Sequence, residues 1–156
     1  MKKLIGLGVL LLAAACQRTV QVSSPTPTPS TATPAVGTVG GATPAEAVGM
    51  MLAAAKAEDL QAVGAVWGDT EGLTRDKWPR SEFEMRAFYV VKCLRNDRYQ
   101  ILSEGTAANG RRVANVQITK GPIVVQTNFK LVKGKTDHWL VEEAQLEPMT
   151  KICQMA

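Results

Sequence analysis

Three cysteines, one histidine and a scatter of carboxylates are the side chains whose types could do chemistry. Cys16 stands directly behind Ala13-Ala14-Ala15, whereas Cys93 and Cys153 lie far down the chain. A thiol can take a lipid, close a disulfide or bind a metal. Metal binding is disfavoured, because two cysteines and His138 show none of the close ligand spacing that zinc sites use. His138 follows Asp137 in a run that reads as an exposed turn, a solvated place rather than a site. Asp69, Asp76 and Asp97 also fall at element boundaries, while Glu104 and Glu142 lie on strands and can face either side. There is no Gly-rich phosphate loop and no Gly-x-Ser-x-Gly. The sequence therefore assigns no catalytic residue, no metal ligand and no cofactor.

The element that would position Cys16 is the leader ahead of it. Lys2 and Lys3 precede an apolar run, Leu4 to Leu12, that ends in three alanines. That run is shorter than the roughly 20 apolar residues a bilayer span needs, and its layout is that of an export signal. The small-small-Cys ending resembles a bacterial lipoprotein lipobox, with Ala13 where that motif more often carries Leu. The resemblance implies that residues 1–15 are removed. Cys16 would then carry a diacylglyceryl thioether, often with an added N-acyl chain such as palmitate. Gln17, in place of the Asp that retains many such proteins at the inner membrane, favours the periplasmic face of the outer membrane in a Gram-negative cell.

Once Cys16 is set aside, Cys93 and Cys153 form an even pair in an exported chain, which points to a disulfide; two separate buried thiols are the alternative. The formal net charge is +4, but Lys2 and Lys3 leave with the leader. Arg95, Arg98, Arg111 and Arg112 sit in turn-like groups rather than along a stripe, so nucleic acid is not an expected partner. Residues 16–42 are rich in Pro, Ser, Thr and Gly and nearly free of large apolar side chains. Such a segment buries too little surface to offset chain entropy and reads as a disordered tether.

A folded domain is expected over residues 43–156. Thr43-Pro44-Ala45-Glu46 is a helix start, and Ala47, Val48, Met51, Leu52 and Ala55 recur at helical spacing behind it. A short helix with Leu60, Val63, Val66 and Trp67 follows, and then a charged loop over 69–80. Ser81-Glu82-Phe83-Glu84 reads as a second capping box. Its helix carries Phe83, Ala87, Val90, Val91 and Leu94 on one stripe, widened by Met85, Phe88 and Tyr89. A helix so apolar around its girth is expected to be largely buried, with those last three in the core or lining a pocket. Beyond Arg98 the period becomes two. Four strands are predicted, with turns at Asn109-Gly110, Lys120-Gly121-Pro122 and Lys133-Gly134-Lys135. Short turns require antiparallel pairing, so the fold class is α+β, three helices followed by a four-stranded meander. The tail is expected to fold back and bring Cys153 to Cys93.

This element order, with the Ala57-Glu58-Asp59-Leu60 turn and the final His138-Trp139-Leu140-Val141 strand, resembles the NTF2-like (cystatin-like fold) superfamily. Within it, the chain is similar to small bacterial lipoproteins of the DUF4878 kind. The resemblance implies a cone, three N-terminal helices on a curved four-stranded antiparallel sheet, around a pocket. Tyr99, Phe129 and Trp139 would join Met85, Phe88 and Tyr89 as its lining. Members bind small molecules, dimerise through the sheet, or catalyse with an inward Asp helped by His or Tyr. No residue here matches that catalytic pattern. The expected function is therefore a non-catalytic envelope lipoprotein that binds a small apolar ligand, a peptide or an envelope protein. An isomerase or hydrolase with its site inside the cone, and a structural dimer that spaces envelope components, are the alternatives.

Overall fold

Thr43 opens the first helix as its residue type suggests. Its backbone is extended, and its hydroxyl accepts a hydrogen bond from the Glu46 amide at 3.1 Å. The Glu46 carboxylate reaches back to the Ala42 amide at 2.9 Å, so a helix amide and one ahead of the cap both find partners. Helix α1 runs Pro44–Ala57 and stops at Glu58, which takes the left-handed conformation at φ 56°. Asp59 then caps α2 (Leu60–Gly64), accepting from the Gln61 and Ala62 amides at 2.9 and 3.0 Å.

The computed structural model describes residues 38–155. The leader, Cys16 and its lipidation, and the chain as far as residue 37 lie outside the described residues. After α2 come two short strands, β1 (Gly68–Asp69) and β2 (Gly72–Leu73), and then helices α3 (Thr74–Lys77) and α4 (Arg80–Leu94). The main sheet is formed by β3 (Arg98–Thr106), β4 (Arg112–Lys120), β5 (Ile123–Lys133) and β6 (Trp139–Ala144), antiparallel in that order. A last helix, α5 (Thr150–Cys153), closes the fold. Asn109 and Gly110, at φ 58° and 72°, make the turn between β3 and β4 that the Asn-Gly pair predicts.

Alternation along the strands decides where the core sits. Ala114, Val116, Ile118, Phe129, Leu131 and Val141 point to one side of the sheet and are essentially sealed from solvent. They belong to one core with Ala47, Val48, Met51 and Leu52 of α1 and Phe83, Ala87, Val91 and Leu94 of α4. Truncating Phe129 to Ala would cost about 3–5 kcal/mol. Buried Asn96 ties the layers together, its amide donating to the carbonyls of Leu52 at 2.9 Å and Leu94 at 3.0 Å. Cys93 and Cys153 form a disulfide that fastens α5 to the end of α4. The loop it closes spans 60 residues. Such closure stabilises the fold by about 4 kcal/mol in the chain-entropy account.

The free edge of β6 is covered. Gly41 exchanges backbone hydrogen bonds with Trp139 at 2.9 and 2.7 Å, and the Val141 amide donates to the Val66 carbonyl at 2.9 Å. The ordered backbone thus starts ahead of the expected boundary at Thr43. Gly40 (φ +68°) lies so close to β6 that a Cβ there would meet the Trp139 carbonyl at 2.8 Å, which is why glycine suits this position.

Three expectations are corrected. The layout is not three N-terminal helices on a sheet: among the described residues four α-helices precede the main sheet, a two-stranded hairpin interrupts them, and a fifth follows. The three-helix cone is therefore withdrawn. Ser81 does not cap α4; the helix begins at Arg80 behind Pro79 with no side-chain cap, and Glu84 pairs with Arg80 instead. Met85, Phe88 and Tyr89 are neither core nor pocket lining, being 66, 60 and 57% exposed. They fall opposite the stripe of Phe83, Ala87, Val91 and Leu94, and α4 buries that stripe and Cys93 beside it.

Candidate functional site

The segment read from sequence as a charged loop builds a small pocket lined by aromatic and charged side chains. Its frame is backbone pairing. Trp67 pairs in parallel with Val141 of β6, and the Thr74 amide donates to the Trp67 carbonyl at 2.9 Å. The hairpin between them sets Gly68 opposite Leu73 and Asp69 opposite Gly72. Asp69 holds the turn by accepting from the Glu71 amide at 2.8 Å, and Gly72 adopts φ 135°, a conformation L side chains rarely take. Gly68 must lack a side chain, because a Cβ there would lie 2.5 Å from the Gly72 carbonyl.

One turn of α3 carries Lys77 back onto the Asp69 carboxylate. Trp78 follows in extended conformation. Its indole meets that of Trp67 edge-on, centroids 5.5 Å apart and planes at 80°, and Arg86 lies 4.7 Å over the Trp78 ring. Phe83 supports Trp67 from the core at 6.1 Å. Glu142 completes the lining from β6. A bulge there pairs Leu131 with Val141 and Lys130 with Glu143, leaving Glu142 as the extra residue between them. Arg111 grips it with two hydrogen bonds of 2.6 Å. The cleft is half open to solvent and holds about 230 Å³, lined by Trp67, Gly68, Asp69, Thr74, Lys77, Trp78 and Glu142.

The charges in this wall come in matched pairs. The Lys77 ammonium, helped by the Glu71 amide, holds the Asp69 carboxyl below the usual range against the opposing effect of burial. The Arg111 guanidinium does the same for Glu142, while Glu142 raises Arg111 in return. Both carboxylates are ionised at neutral pH. Neither is a proton donor, so the pair lacks the acid half of an acid–base couple. A broader groove of about 520 Å³ is lined by residues 122–125 with Pro148, Thr150 and Lys151, and Lys151 is its one charged side chain.

No family model, curated protein or solved structure matches this chain. Its function is therefore read from its own residues.

The residues singled out from sequence lie elsewhere. Phe129 is fully buried in the core, and Tyr99 is half-buried, with burial raising its pKa. Trp139 packs at the rim of the core with Lys133 at 5.8 Å from its ring. None of these three, and none of Met85, Phe88 and Tyr89, lines the pocket. His138 is held locally, its Nδ1 2.9 Å from the Thr136 carbonyl oxygen, and Asp137 pairs with Lys133 at 2.7 Å. Among the described residues no three His, Cys, Asp or Glu side chains gather as metal ligands, and no helix is long and apolar enough to cross a membrane.

Sequence reasoning passed over Trp67, Asp69, Lys77 and Trp78. Trp67 reads as the last apolar position of α2, and the rest as a solvated loop. The signal available was two tryptophans flanking a short stretch with Gly68 and Gly72, since large aromatics are wasted in a loop that packs against nothing.

Proposed function

We propose that this chain is a tethered, non-catalytic binding module of the bacterial envelope. Lipid on Cys16 anchors it, the Pro-, Ser-, Thr- and Gly-rich segment behind Cys16 spaces it from the membrane, and the pocket between the Trp67–Trp78 segment and β6 takes a small polar ligand. The observation that carries this reading is the pocket wall: two indoles, the Asp69–Lys77 pair and the Glu142 carboxylate, which Arg111 holds, border one small volume. Concave sites with aromatic walls and a few placed polar groups are the usual form of a small-molecule site. Binding is favoured over catalysis because both carboxyls are held ionised and no nucleophile–base pair faces the volume.

A thermal-shift screen of the full chain against small polar metabolites tests it. At a ligand concentration near ten times Kd, a true ligand should raise Tm by about 5 °C. Trp78→Ala should remove that rise. A screen in which no compound shifts the wild-type protein would contradict the reading.

A further inference from the structure

We infer that the ligand is a single neutral sugar ring, or a polyol of similar size, seated between the indoles and the two ion pairs; this rests on the proposed binding function. Charge matching is the first reason. Lys77 lies on Asp69, and Arg111 is forked on Glu142. A charged ligand would meet a wall whose opposite charge is already neutralised by a partner, and would bring its own charge close to a like one, Lys77 or Arg111 for a cation and Asp69 or Glu142 for an anion. A hydroxyl displaces nothing. It needs only a lone pair or an N–H still free.

Those are present on both sides of the volume. Each carboxylate oxygen of Asp69 and Glu142 has further lone-pair capacity beyond the bond it already accepts. Lys77 keeps N–H donors beyond the one given to Asp69, and Thr74 in the same lining carries a hydroxyl that both donates and accepts. The lining thus holds both donors and acceptors with no demand for charge, which suits hydroxyls. The indoles of Trp67 and Trp78, set at 80° to one another, offer the apolar C–H edges of a ring a corner to pack into. Size fits as well. The volume of about 230 Å³ falls below the roughly 300–1,000 Å³ of drug-sized pockets, which suits a ligand that places one ring in the cleft.

Isothermal titration of the purified full chain with glucose, N-acetylglucosamine, choline and acetate separates the cases. At least one sugar should bind with Kd about 1 mM, as suits so small a ligand, and choline and acetate should not. Trp78→Ala should weaken sugar binding about tenfold. Thr74→Val, which keeps the buried shape, should weaken it as well and serves if Trp78→Ala does not fold. Binding of choline or acetate alone, abolished by the same variants, overturns the sugar assignment and leaves the binding reading intact. Sugar binding indifferent to both variants overturns the site. No heat with either sugar overturns the sugar assignment too, and the metabolite screen then decides the binding reading by itself.

Discussion

Asp69 and Glu142 each sit against a cation on one wall of a small volume, and that arrangement has a consequence for pH. Lys77 and Arg111 hold both carboxyls below their ordinary values in the folded chain. A group with a depressed folded pKa contributes stability above its unfolded value and loses it as pH falls through the folded one. The contribution is complete at neutral pH and disappears below about pH 4, where unfolded Asp and Glu take up protons first. Melting temperature should therefore hold between pH 7 and about pH 5 and then decline. Glu142→Gln should lower Tm at neutral pH, because Arg111 loses its carboxylate, and should flatten the acid decline. Scanning calorimetry of both proteins across that range checks it; parallel acid declines would mean that the pair contributes nothing. His138 was legible as a turn residue outside any site, whereas the inward placing expected of Tyr89 was not met. Whether a side chain faces a pocket depends on register, and the bulge that frees Glu142 leaves no trace in the alternation of β6.

At the scale of elements, the parts with strong local signals were readable and the parts made by tertiary pairing were not. Thr43-Pro44 with Glu46, the capping Asp59, the Asn109-Gly110 turn and the alternation of Ile123 through Leu131 each name their structure from neighbours a few residues away. Strands β1 and β2 have two residues each and no period to read. They exist because Trp67 pairs with Val141 and the hairpin folds across β6. Helix α4 shows the opposite error. Its composition suggested burial on every side, yet only one side of it is packed, so Met85, Phe88 and Tyr89 face outward. Met85→Gln and Phe88→Gln should each change stability by less than about 0.5 kcal/mol. Val91→Ala, on the buried stripe, should cost about 1–3 kcal/mol. Urea unfolding of the three variants reads this directly, and a loss at Met85 as large as that at Val91 would mean that the outer face is covered.

The whole molecule, as proposed, joins an anchor, a spacer and a binding domain. In that arrangement lipid at Cys16 sets the location and the pocket sets the partner, so the two should separate by mutation. Cys16→Ser should move the protein from the detergent-extracted membrane fraction to the soluble fraction, with the Tm of the domain unchanged. Fractionation followed by intact-mass measurement checks both the shift and the loss of acyl mass. A wild-type protein found soluble, at the mass of an unlipidated chain, would show that lipid does not anchor it. The disulfide was readable only at this scale, because pairing Cys93 with Cys153 depends on counting Cys16 out.

Everything proposed for the pocket depends on ligand packing against Trp67 and Trp78. The chain has three tryptophans, and the third, Trp139, lies outside the pocket and serves as an internal control. The direct measurement is a proton–nitrogen correlation spectrum of the three indole N–H groups during titration with the best ligand from the metabolite screen. The Trp67 and Trp78 signals should move together along one saturable curve while Trp139 stays in place. Movement of Trp139 alone, or of none of the three at saturating ligand, would contradict entry at this pocket.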